Sequence, residues 1–156
     1  MYHYQECGLD NVWLSNGYTL KETAYGKAVS IEQVDALHKL LADELVKKPG
    51  RLTGKELRFL RVHLALSQAA LGQAQGVSEQ NVSLWERHGK VPRANDQLLR
   101  LMVLLHHANN KALRGALDRI MAVERLVHQK IVVHAEAGRW VAEELVPDDD
   151  RFALAA

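Results

Sequence analysis

The chain has 156 residues, 47% of them hydrophobic and 25% charged, with 20 Lys and Arg against 19 Asp and Glu. This is the composition of a folded globular protein of one domain or two small ones, too apolar for a disordered chain. The longest apolar run, Leu101 to Leu105, is too short to cross a bilayer, and Met1 to Glu6 lack a basic-then-apolar leader. A cytoplasmic protein with no membrane contact is therefore expected, and the lone Cys7 excludes an internal disulfide and a four-cysteine zinc site.

Residues 1–50 read as an N-terminal module of β-hairpin plus helix, suited to dimerisation or partner binding. Leu9 to Trp13 precede Ser15-Asn16-Gly17-Tyr18, and Asn-Gly suits a two-residue hairpin turn because both central positions want positive φ. A further extended piece is expected around Lys27 to Val29. Ser30 with Gln33 then forms a capping-box pattern that opens a helix through about Lys48, with Val34, Leu37, Leu41 and Leu45 at helical spacing. Pro49-Gly50 stops it and marks a boundary.

Residues 51–109 read as a helical domain. Thr53 and Glu56 form a second capping box, followed by Leu57, Leu60 and Leu64 on one face, while Ser67 and Ser78 are placed to cap two further helices. Between those two serines the spacing predicts a pair of short helices joined by a tight turn: Leu71, Val82 and Trp85 for the shared apolar contact, Gly72 for close approach, Gly76 for the positive φ that ends the first helix. That is a helix-turn-helix. Gln75, just before the turn glycine, stands where an apolar residue is more usual. A fourth helix over about Asn95 to His107 presents Leu98, Leu101, Met102 and Leu105.

Residues 110–156 carry Leu113, Leu117, Ile120, Leu126 and Val127, compatible with a long helix. Lys130 to Val133 read as a strand whose partner could be a second copy of itself, with Trp140 and Val141 continuing the pairing. An acidic tail begins at Pro147, and this third part is assigned to dimerisation.

Charge is distributed unevenly: residues 1–50 carry five Lys and Arg against seven acids, whereas residues 51–100 carry eight against four. The positive field thus gathers on the segment that holds the two short helices, where it would attract phosphates. A helix wheel at 100° per residue puts Val82 and Trp85 on the buried side of the second short helix. Gln80, Ser83, Leu84 and Arg87 then face outward, with Glu79 and Asn81 at the helix start. Gln80 or Asn81 suits a bidentate contact with adenine, Arg87 a guanine or a phosphate, Leu84 a thymine methyl and Glu79 a cytosine amino group. Gln68, Ser78, Lys90 and Arg93 are the candidates for phosphate contact.

The run Leu-Ser-Gln-Ala-Ala-Leu at 66–71, Gly76-Val77-Ser78, Val82, Trp85-Glu86-Arg87 and Pro92 resembles the Xre/Cro family of phage-repressor-like regulators over about a third of the chain. The resemblance implies operator contacts at Gln68, Glu79, Gln80, Asn81 and Ser83, and a homodimer on a palindromic site. His88 departs from the glycine or asparagine common there. Residues 2–18, with Glu6-Cys7-Gly8-Leu9-Asp10-Asn11-Val12-Trp13-Leu14, and Leu52 to Arg61 are similar to MqsA-like antitoxin regulators. That likeness implies repression of its own operon and an N-terminal module able to hold a toxin, although the zinc-binding cysteine pairs of those proteins are missing. The expected fold is therefore mainly α with a small β component: a lambda-repressor-like helix-turn-helix bundle flanked by an N-terminal α/β module and a C-terminal helix plus strand.

Eight histidines raise the question of a metal, but His106 and His107 are adjacent and so diverge on a helix, and His3 with Cys7 offers only two ligands. No metal or cofactor is expected, and no catalytic elbow, phosphate loop or metal signature arranges an active site. The function expected is a sequence-specific DNA-binding repressor, homodimeric on a palindromic operator. The alternatives are an antitoxin that also neutralises a toxin through residues 1–50, and an interaction module without DNA contact.

Overall fold

The computed structural model describes residues 1–121 and 131–143. The expected helical continuation through Leu126 and Val127, Lys130 at the start of the expected strand, and the acidic tail fall outside the described residues. Met1–Met121 form one compact unit, and the described residues 131–143 belong to a second. Among the described residues the protein is mostly helical, with three small antiparallel two-stranded sheets.

In the N-terminal region β1 (Tyr2–His3) pairs with β2 (Trp13–Leu14), and β3 (Tyr18–Thr23) pairs with β4 (Gly26–Ile31) in the register Tyr18 to Ile31 through Thr23 to Gly26. The hairpin turn is therefore Ala24-Tyr25, with Thr23 Oγ1 donating to the carbonyl of Gly26 at 2.7 Å, and not Asn16-Gly17 as the dipeptide suggests. Gly17 does take a positive φ of 74°, but it lies in the link between the two sheets, where its carbonyl accepts from Glu32 N–H.

Helix α1 (Val34–Lys47) also starts differently from expectation. Ser30 lies inside β4 opposite Thr19, and the N-cap is Gln33 in the left-handed region without a side-chain cap. The strand continued far enough to absorb the serine, since Val29 and Ile31 alternate on the half-buried face with Leu20 and Tyr18 opposite.

Helix α2 (Gly54–His63) opens with the capping box of Thr53 and Glu56, both halves present. Helix α3 (Gln68–Gln75) and helix α4 (Glu79–His88) are capped by Ser67 and Ser78, each accepting from the third residue of its helix. Gly76 closes α3 at φ 67° and Gly89 closes α4 at φ 68°, so the glycine follows His88 by one position. Gly72 is required for a different reason: a Cβ there would sit 2.7 Å from the carbonyl oxygen of Val77, so the turn lies directly on α3. Gln75 is half-buried and satisfied: its Nε2 donates to the backbone carbonyl of Asn95 at 3.3 Å and its Oε1 accepts from Asn95 Nδ2 at 3.0 Å.

Helix α5 runs Arg93–His107, starting two residues before the expected Asn95. Its buried positions are Asp96, Leu99, Met102 and Val103, so Leu101, placed on the core face by spacing, is half exposed. Leu52, Leu57, Leu60, Leu71, Val82, Val91, Leu99 and Val103 are fully buried and form the centre of the core, to which Tyr4, Leu9, Val12 and Leu14 of the N-terminal region add. At about 1.5–3 kcal/mol for each large apolar side chain buried, this core is what assembles α2 to α5.

Helix α6 (Lys111–Met121) buries none of its residues. In the second unit, β5 (Val133–Glu136) pairs with β6 (Arg139–Ala142) through the turn Ala137-Gly138, both at positive φ. The strand expected over Lys130 to Val133 begins only at Val133, with Ile131 and Val132 outside it, and it pairs within the chain, Val141 lying opposite His134 and Trp140 opposite Ala135.

Candidate nucleic-acid interface

The surface of interest is built on α4. Its N-cap Ser78 uses its hydroxyl oxygen to accept from Asn81 N–H at 3.2 Å, and Glu79 in the first turn complements the positive helix end. Val82 and Trp85 are buried, fixing the rotation of the helix about its axis. Glu79, Gln80, Asn81 and Arg87 are exposed, Leu84 is 43% exposed and Ser83 half-buried.

Two neighbouring hollows share this face. Gln68, Glu79, Gln80, Ser83, Leu84 and Arg87 line one, and Asn81, Leu84, Trp85, His88 and Lys90 line the other. The side chains that the wheel turns outward, Gln80, Ser83, Leu84 and Arg87, share one hollow, and the fold brings Gln68 of α3 to them. Arg87 folds back along its own helix, its Nε donating to the carbonyl of Ser83 at 3.4 Å.

Beneath the face lies Glu86. It accepts from Arg61 Nε at 2.5 Å and from Gln68 Nε2 at 2.8 Å, so Gln68 is held from the interior side through one amide hydrogen and retains the other. Sequence reasoning left Glu86 without a role. Its position four residues after Val82 and next to Trp85 places it toward the buried side, which is the signal that could have found it.

The electrostatic balance is narrower than the residue totals suggest. Lys55 pairs with Asp10, Arg61 with Glu86 and Arg100 with Asp96, while Arg51 donates to the carbonyl of Val91. Within residues 51–100, Arg58, Arg87, Lys90 and Arg93 then carry charge without an acidic partner. Lys90 follows Gly89 directly, and Arg93 is the first residue of α5. No protein-family model, curated protein or solved structure matches the chain.

The packing behind α4 leaves little slack. A Cβ at Gly54 would lie 2.1 Å from the Glu86 carbonyl oxygen, so the start of α2 sits directly against the end of α4. The sequence offered no hint of this contact, because a glycine at the first position of a helix needs no special backbone angle.

The histidines and Cys7 take other places. His3 stacks on Trp13 at 4.1 Å and its Nε2 meets the carbonyl of Asp10, while the Cys7 thiol donates to the carbonyl of Tyr4 at 3.0 Å and is pushed above its usual pKa by burial. Among the described residues no three His, Cys, Asp or Glu side chains are grouped to hold a metal. His63 and His107, 44 positions apart, do come together, a pairing that sequence spacing could not reveal.

Proposed function

We propose that the protein is a sequence-selective DNA-binding repressor, with α2 to α5 as a lambda-repressor-like bundle and α3–α4 as its helix-turn-helix. The observation that carries this reading is the division of α4. Val82 and Trp85 lock it into the core, while Gln80, Asn81 and Leu84 are exposed on the outer side, Arg87 lies along its own helix, and Lys90 shares a hollow with Asn81 and Leu84. Side chains of these types match base edges of the major groove, and the flanking cations match phosphates. Gln68 and Ser78 at the two helix starts add backbone contact. As a homodimer the protein would set two α4 helices in successive major grooves about 34 Å apart on a palindrome, excluding polymerase from a nearby promoter. Leu101 and Leu104 on α5 and Leu113 and Ile120 on α6, all exposed, supply apolar surface for a second copy.

A second reading rests on the N-terminal hairpin. Leu20 is 56% exposed and Tyr25 at the turn is fully exposed, on a two-stranded sheet of a kind that is seldom stable without cover. A toxin or other protein seated there would make the chain an antitoxin that also represses.

The deciding experiment selects a duplex from a random-sequence pool with the full chain and measures its affinity across salt concentrations. A DNA binder loses affinity steeply as salt rises, by a power of salt set by the phosphates it neutralises. No selected duplex at low salt would overturn the proposal.

A further inference from the structure

The last residue of α2 and the last residue of α5 meet through their rings. His63 Nε2 lies 2.6 Å from His107 Nε2, with the ring planes at 86°. On its other side His107 Nδ1 lies 2.7 Å from Asp43 Oδ1 of α1. Asp43 can only accept when ionised, so it takes the Nδ1 hydrogen of His107 and thereby sets the tautomer. Neutral His107 then presents a bare Nε2, which accepts the Nε2 hydrogen of His63.

The protons on this line can be counted. One added proton makes His107 an imidazolium beside Asp43, and His63 answers by shifting its hydrogen to Nδ1 and accepting through Nε2. The contact survives. A second added proton puts hydrogens on both Nε2 atoms, with no acceptor between them and two positive rings in contact. The contact then breaks.

The surroundings resist that second proton. From α1 they include His38, Lys39 and Lys47 beside Asp43, from α5 the neighbouring ring of His106, and from α6 Arg114, whose guanidinium holds the carbonyls of His106 and Ala108. His63 also lines a cleft of about 480 Å³ with Glu6, Lys55 and Arg58, so Glu6 and Asp43 are the acids set against these cations. Burial first and the adjacent imidazoles second hold His63 below its ordinary value.

Helix α5 has another anchor, built on a guanidinium. Arg100 donates to Asp96 Oδ1 at 2.6 Å and to the carbonyls of Val46, Lys48 and Gly50 just past and at the end of α1. Asp96 also accepts from Leu52 N–H, and a guanidinium keeps its charge. The two anchors are seven residues, or about 10 Å, apart along the helix.

We infer that Asp43, His107 and His63 form a proton-operated latch on the C-terminal end of α5. The line is closed while the histidine pair carries one extra proton or none, and it opens at the second. Opening frees the end of α5 and the start of α6, held to it by Arg114, while the Arg100 anchor keeps the first half of α5 in place.

The test follows the imidazole protons and backbone amides of the full chain by NMR from pH 8 to pH 4.5. The His63 ring, in contact with a second imidazole, should respond in two steps, the second displaced to acid. Over that second step amides at 104–107 and 111–117 should exchange roughly tenfold faster while those at 99–103 hold their protection. His63→Gln, which retains a donor but takes no proton, should keep residues 104–107 protected at pH 5. Independent single titrations of the two histidines, or both halves of α5 opening together, would overturn the latch, and the wild-type spectra alone decide between these outcomes.

Discussion

Arg61 of α2 donates through Nε to Glu86 of α4 at 2.5 Å and through Nη1 to the carbonyl of Leu66 at 2.8 Å, with the two side chains only 12% and 7% exposed. One guanidinium therefore joins α2, the entry to α3, and the back of the proposed recognition helix. The pair is dry enough that losing one partner strands the other.

Glu86→Ala should accordingly lower stability by about 3 kcal/mol, the usual cost of leaving one member of a buried pair uncompensated. Urea unfolding followed by circular dichroism measures it. Because Gln68 also donates to Glu86, the same variant should loosen Gln68 and weaken binding to every duplex alike. A loss under about 0.5 kcal/mol, the size of a surface change, would show that the pair contributes little.

Two glycine substitutions should act in opposite directions. At Gly54 an added methyl meets the backbone oxygen of Glu86, which cannot swing aside, so Gly54→Ala should cost about 2 kcal/mol through overpacking. At Gly115 in α6 an added methyl meets open space, so Gly115→Ala should gain up to about 1 kcal/mol from helix propensity. Thermal melts of the two variants should move apart, and equal shifts would refute the close contact of α2 with α4.

The same contrast shows how much of the molecule was legible in the chain. Caps with an obligatory side-chain oxygen were readable, as at Thr53, Ser67 and Ser78, and so was the left-handed Gly76, because each is a local requirement. Val82 and Trp85 fixed the face of α4 by simple periodicity. Ser30 misled because a capping serine and a strand serine look alike until strand pairing decides, and Asn16-Gly17 misled because a turn-forming dipeptide also serves a link between sheets. Gly54, Glu86 and the His63 and His107 pair depend on elements meeting in space, and no local pattern encodes that.

On the outer side of α4 the variants should separate by role. Gln80→Ala and Ser83→Ala should alter which duplexes are preferred, each by about 1–3 kcal/mol at the base concerned. Lys90→Ala should weaken matched and scrambled duplexes equally and reduce the salt slope by about one. Gel shifts on both duplexes across a salt series measure these effects, and identical losses for all three variants on both would count against the assignment.

Acid should destabilise the protein above the pH at which carboxylates titrate. His63 and His106 are held below their ordinary value of 6.5, in each case by burial first and by His107 next. Between that value and their lower folded values the unfolded chain binds protons that the folded chain refuses. Their contribution is therefore complete above about pH 6.5 and is lost as the pH falls. Asp43 acts in a different window. Its carboxyl is lowered by the hydrogen bond from His107, so its contribution is present above 3.8 and disappears only as the pH drops through its folded value. The unfolding free energy measured in urea should thus fall between pH 7.5 and pH 5, with a slope of at most about 1.4 kcal/mol per pH unit for each proton taken up. His63→Gln combined with His106→Gln should flatten this limb while leaving the steeper loss below pH 4 in place. A wild-type profile that is level from pH 7.5 to pH 5 would mean that the imidazoles keep their ordinary proton affinity in the folded protein.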